Sequence, residues 1–121
     1  MRQDVKELAD AMERGWKLVP KTCYAFFVFN DKNKITSCCA MGHALLGNGF
    51  TPQPGNHYGF DMEKLVKEMF PILDYQKVEA SKERLYNYGK FNTLESIINQ
   101  LILRDWNTLQ VIEWLRFHQN D

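Results

Sequence analysis

The chain has 121 residues, a length that suits one folded domain with its own hydrophobic core. Hydrophobic residues make up 45% of it and charged residues 25%, which excludes an intrinsically disordered protein. Fifteen basic and fifteen acidic side chains give no net charge, so no long-range field attracts phosphates and we expect no nucleic-acid partner.

Cysteine content and hydropathy indicate the compartment. The chain has three cysteines, Cys23, Cys38 and Cys39, and two of them are adjacent. An odd number of cysteines with this spacing does not form a disulfide framework and indicates a reducing environment. The first residues, MRQDVKELADAMERG, lack the apolar stretch of a signal peptide, and no apolar run reaches membrane-spanning length. We therefore expect one domain, residues 1–121, in the cytoplasm (the host cytoplasm if the origin is viral), without a membrane partner.

The first third of the chain predicts a helix and a β-hairpin. Apolar residues at helical spacing predict a helix over residues 4–14, capped by Asp4 and ended by Gly15. The stretches TCYAFFVFN and ITSC, separated by DKNK, predict two antiparallel strands. Both faces of the first strand are apolar, so it needs cover on both sides.

The stretch SCCAMGHALLGNGF predicts a short helix of small residues. Thr36 or Ser37 can cap its start, and Gly47 with Gly49 can end it. Residues 48–60, NGFTPQPGNHYGF, hold two Pro and three Gly and predict the longest loop, the best place for a functional loop.

The second half of the chain predicts further helices. Asp61 caps a third helix that Pro71 ends, and YQKVEASKERLYNYGKF is typical of a weaker polar helix or connection. Asn92 caps the next helix, with Glu95 at the capping-box position. Asn107 or Thr108 caps the last. The fold class is α+β, with four or five helices packed around one β-hairpin.

Two sets of apolar positions are predicted to face the core in the last two helices. The inward residues of the first are Leu94, Ile97, Ile98, Leu101 and Ile102. Those of the second are Leu109 and Leu115 with either Ile112 or Val111.

Three short patterns together resemble a known family. They are Trp16 after the first helix, the helix opening Cys39-Ala40-Met41-Gly42, and Trp106-Asn107 before the last helix. In order and rough spacing they resemble small bacterial and phage proteins known only as a domain of unknown function. The resemblance implies a shared packing scheme and no activity. At two positions, His43 and Thr108, this sequence differs from the pattern, which usually has a small residue and an acidic residue there.

Cys39 and His43 are the candidate catalytic residues. A cysteine in the first turn of a helix meets the positive end of the helix dipole, which favours thiolate. His43, four residues on, falls on the same helix face. The pair predicts, as an alternative function, a thiol-dependent or metal-assisted small enzyme. Small cysteines that fill space between packed elements are the more common case.

The same residues offer a second alternative, a metal site. Cys23, Cys39, His43 and His57 have the donor types of a zinc site, but the close Cys-x2-Cys pairs typical of structural zinc are absent. We therefore expect no metal and no cofactor.

The leading interpretation is a small non-enzymatic protein-interaction module that docks to another protein or to itself. The family resemblance implies an accessory protein of a phage or mobile element that binds and modulates a host factor. Aromatic residues are enriched in protein interfaces, and Lys or Arg between them would be needed for nucleic acid. The expected contact residues lie in the long loop and the hairpin: Phe50, His57, Tyr58, Phe60, Tyr24 and Phe26.

Overall fold

A computed structural model describes residues 3–54, 60–74 and 93–118. Helix α1 spans Gln3–Leu18, strands β1 and β2 span Val28–Phe29 and Ile35–Ser37, and helix α2 spans Ala40–Gly47. Helix α3 spans Phe60–Met69 and is followed by a 3-10 helix, Pro71–Asp74. Helices α4 and α5 span Leu94–Leu103 and Thr108–His118. The predicted α+β class, helices around one small hairpin, is confirmed over these residues.

Helix α1 is the centre of the packing and is longer than predicted. It packs against both α2 and α5, and it continues through Gly15 to Leu18. Gly15 was expected to end it, but it lies inside the helix because α2 crosses at that point. A Cβ on Gly15 would overlap the backbone carbonyl of His43, and a Cβ on Gly47 would overlap that of Ala11. Two glycines, one from each helix, let the backbones touch.

The hairpin is shorter and less regular than the apolar run predicts. Val28 pairs with Ser37 and Phe29 with Ile35, with an irregularity between them. The turn is closed by the Asn30 side chain, which accepts hydrogen bonds from the amides of Lys32 and Lys34. Residues 22–25 instead run beside residues 38 and 39: the Cys23 amide donates to the Cys38 carbonyl (3.1 Å), and the Cys39 amide to the Ala25 carbonyl (2.8 Å).

Three predicted helix starts differ from the structure by a few residues. Thr36 and Ser37 belong to β2, and Cys39 caps α2. Asp61 lies in the first turn of α3 and does not cap it. Helix α4 is capped by Thr93, whose hydroxyl accepts the Ser96 amide (3.2 Å). Asn92 and the predicted polar helix lie outside the described residues.

The last helix begins as predicted, with a capping box of Asn107 and Gln110. The Asn107 side chain accepts from the Gln110 amide (2.9 Å), and the Gln110 side chain accepts from the Asn107 amide (2.8 Å). Its inward face was predicted incorrectly in one respect, since Leu109 is 38% exposed. The buried apolar residues of α5 are Val111, Ile112, Trp114 and Leu115. All five positions predicted to face inward on α4 are buried.

Candidate binding groove

A cavity of about 400 Å³ lies between the segment before β1, the start of α2, and helices α3 and α4. It is called the groove below, and its volume is within the range of ligand-binding sites. The residues that line it are Tyr24, Phe26, Cys39, Met41, Glu63, Val66, Glu95, Asn99, Ile102 and Leu103.

Backbone hydrogen bonds place the aromatic wall of the groove. The 22–25 segment is tied to Cys38 and Cys39, and this attachment holds Tyr24 and the following Phe26 at the groove. The Tyr24 ring is 63% exposed, and its hydroxyl donates to the Asp105 carboxylate (3.2 Å). That carboxylate raises the pKa of Tyr24.

Two helix faces supply the other walls. Glu95, Asn99 and Ile102 follow one another at i, i+4 and i+7 on α4, and Glu63 and Val66 lie one turn apart on α3. The charged side chains that line the groove are both carboxylates, on Glu63 and Glu95. The groove lining therefore combines apolar and aromatic side chains, called the apolar floor below, with the carboxylates of Glu63 and Glu95, called the acidic end.

The Glu95 carboxylate is the most buried of the acidic groups in the described residues, with the residue only 8% exposed. Burial raises its pKa; the Lys67 ammonium, 2.9 Å from Oε2, lowers it, and a hydrogen bond with the Glu63 carboxyl raises it again. Lys67 also lies 3.6 Å from Asp74, so one ammonium serves two carboxylates.

Cys39 lines the groove, but its thiol is held as a structural cap. Its Sγ accepts the Gly42 amide (3.4 Å), and only 7% of the residue is exposed. Burial raises the pKa of Cys39 to about 11 and raises that of Cys38 further. The expectation that the helix dipole favours thiolate is wrong here, because loss of hydration outweighs the backbone donors.

His43 lies away from the groove, fully buried between α1 and α5. Its Nε2 is 2.7 Å from the Val19 carbonyl, which can only accept, so Nε2 carries the proton and Nδ1 accepts from the Thr108 hydroxyl (2.6 Å). The Thr22 hydroxyl in turn donates to Thr108 (3.1 Å), and the Thr108 amide donates to Thr22 (2.8 Å). The edge of Trp16 covers the ring at 5.5 Å between centroids.

Both nitrogens of His43 are thus used within the core, and burial lowers its pKa. Each side chain of the predicted Cys39–His43 pair is hydrogen-bonded to a different partner. The two positions at which the sequence differs from the resembled pattern, His43 and Thr108, contact each other.

The predicted contact residues are distributed unevenly. Tyr24 and Phe26 line the groove, whereas Phe50 is half-buried and stacks on Phe27 with ring centroids 5.9 Å apart. Phe60 begins α3, but its side chain is not described, and His57 and Tyr58 lie outside the described residues.

The metal alternative depends on Cys23, Cys39, His43 and His57. Within residues 3–54, 60–74 and 93–118, no three His, Cys, Asp or Glu side chains are grouped closely enough to hold a metal ion. Cys23, Cys39 and His43 therefore do not form three ligands of one site. Cys23 is partly exposed at a shallower depression beside the groove.

Sequence reasoning missed Glu63, Glu95, Asn99 and Met41. The i, i+4, i+7 spacing of Glu95, Asn99 and Ile102 was a usable signal, since two polar residues share that face with a buried isoleucine. Glu95 was instead interpreted as part of a capping box, a role that depends on a cap at Asn92.

Comparison of the chain with protein-family models, curated proteins and solved structures finds no match. Over the described residues, none of the helices combines the length and apolar character needed to cross a bilayer.

Proposed function

We propose that the protein is a non-enzymatic interaction module and that the groove docks a segment of a partner protein. The observation that carries the proposal is the groove's composition. Apolar and aromatic walls are combined with exposed Tyr24 and Leu103 at its edge, and Leu103 is 59% exposed. Buried aromatic and apolar anchors, with a polar rim, are what protein interfaces use.

The environment of Cys39 and His43 supports a structural role over the enzyme alternative. A thiol with a pKa of about 11 is almost entirely protonated at neutral pH, and the imidazole is committed to Val19 and Thr108. The proposed module is an accessory protein of the phage or mobile-element kind that modulates a host factor, in line with the family resemblance.

The test uses a random peptide library displayed on phage and selected on the immobilised full-length chain. We expect enriched peptides whose affinity falls about 10-fold in Leu103→Ser, since one buried anchor contributes about 1–2 kcal/mol. Leu18→Ser is the matched control, because Leu18 is 68% exposed at the end of α1, outside the groove lining.

Three outcomes would contradict this proposal. One is a library that yields no enriched peptide. Another is a set of peptides that bind Leu103→Ser as tightly as the unmodified chain. The third is a dimer in sedimentation that Leu103→Ser dissociates, because the groove would then be occupied by a second copy of this chain.

A further inference from the structure

We propose that the acidic end of the groove holds the guanidinium of an arginine from the partner segment, while the apolar floor holds the residue beside it. This inference rests on the proposed function and adds the chemistry of the partner.

The charge of the groove favours a cation. The charged residues of the lining are Glu63 and Glu95, and the nearby cation, Lys67, contacts Glu95 from outside the lining. With Asp74 included, three acidic groups lie near one ammonium. A second cation placed in the groove would reduce this excess of negative charge.

The positions of the two carboxyl groups favour a guanidinium. Glu63 and Glu95 come from two different helices and both line the groove, and Glu63 is close enough to contribute to the raised pKa of Glu95. A guanidinium is planar and has five N–H donors in a fixed fork, so it can contact two neighbouring carboxylates at once.

The aromatic wall of the groove favours a guanidinium over an ammonium. A guanidinium is weakly hydrated and packs on aromatic faces, whereas an ammonium is a compact and strongly hydrated charge. Tyr24 and Phe26 provide rings in the same groove, and Met41 adds a polarisable side chain. The combination favours arginine over lysine.

The experiment uses benzamidine, an aromatic cation of this shape, and benzamide, its neutral counterpart. Each is titrated into the full-length chain while the backbone amide signals of Met41, Val66 and Asn99 are followed by NMR. We expect benzamidine to bind about 5-fold more tightly than benzamide, and Glu63→Gln to remove the preference. Glu68→Gln, an exposed glutamate on the same helix, is the matched control and should retain it.

A pH series tests whether the ionised carboxylate of Glu95 attracts the cation. The groups that face the site are Glu63 and Lys67 from α3, Asp74 from the 3-10 helix, Tyr24 and Cys39. Because burial raises the pKa of Glu95 and a cation favours its ionised form, benzamidine should bind more tightly at pH 7.5 than at pH 5.

Equal affinity for benzamidine and benzamide, or a preference that survives Glu63→Gln, would overturn the inference. These results leave the proposed function intact if selected peptides still depend on Leu103. Conversely, a benzamidine preference without any Leu103-dependent peptide would support the cation site and contradict the docking of a protein segment.

Discussion

At the scale of single residues, His43 shows how a polar group is accommodated in a core. The imidazole is neutral because it is removed from water, and it is retained because Val19 and Thr108 satisfy both ring nitrogens. An unsatisfied buried nitrogen would cost about 1–3 kcal/mol. The hydrogen bonds explain how a histidine is accommodated in a tightly packed helix.

The same residue makes stability depend on pH. Because folding lowers the pKa of His43 below its ordinary value of 6.5, the unfolded chain binds a proton that the folded chain rejects. The contribution of neutral His43 to the free energy of unfolding is fully present above pH 6.5. Below pH 6.5 this contribution decreases, by up to about 1.4 kcal/mol per pH unit. Urea unfolding between pH 7.5 and 5.5 measures this loss.

His43→Gln supplies the control for that series. The variant is less stable at every pH, but its stability should decline less steeply between pH 7.5 and 5.5. The raised pKa of Glu95 makes stability change with pH in the opposite direction. Both chains contain Glu95, so its contribution cancels when their slopes are compared. Parallel slopes for the two chains would contradict the prediction.

The residue scale is also where sequence reasoning was least complete. Spacing identified Cys39 and His43 as unusual, but the partners of His43 come from residues 19 and 108, and no local pattern reports such distant contacts. The direction of the pKa shift of Cys39 was predicted wrongly. Burial, which raises this pKa, is a property of the folded molecule and cannot be read from local spacing.

At the scale of elements, the crossing of α1 and α2 depends on glycine at two points. Gly15 meets the His43 backbone, Gly47 meets the Ala11 backbone, and the Arg14 side chain donates to the Gly47 carbonyl (2.8 Å). This close approach sets the position of α2, and hence of the groove wall that begins at Cys39.

Gly15→Ala is expected to destabilise the protein. Helix propensity alone predicts a gain of about 1 kcal/mol, whereas the overlap with the His43 carbonyl forces the helices apart and costs about 3 kcal/mol. Thermal and urea unfolding show whether the substitution raises or lowers the free energy of unfolding. Glu7→Ala, at an exposed position of α1, controls for propensity and should change stability by less than about 0.5 kcal/mol.

Element types were predictable where the pattern was strong. The core face of α4 follows from its apolar spacing, and Pro71 follows α3 closely as predicted. The hairpin was predicted too long because an apolar run does not show where pairing stops: residues 22–25 pair with the chain that enters α2 instead.

At the scale of the whole molecule, the three cysteines differ in burial in a way that reports folding. Cys23 is partly exposed, whereas Cys38 and Cys39 belong to the core cluster. With a pKa of about 11, Cys39 is almost entirely protonated at pH 7.5.

Iodoacetamide at pH 7.5 should therefore label Cys23 in the native protein and reach Cys38 and Cys39 only when the molecule unfolds. Mass spectrometry of proteolytic fragments identifies the labelled positions, and the same reaction in 8 M urea, where all three should react, is the control. Labelling of Cys39 as fast as Cys23 without urea would restore the case for a reactive thiol.

The His43–Thr108 hydrogen bond has an evolutionary consequence. The two residues lie 65 positions apart in the chain, and without the Thr108 hydroxyl the buried Nδ1 of His43 loses the donor that satisfies it. A loss of about 1–3 kcal/mol is a large share of the stability of a domain this small. Among descendants of a common ancestor, we expect histidine at 43 and a hydroxyl at 108 to be inherited together, and lineages that lose one to lose the other.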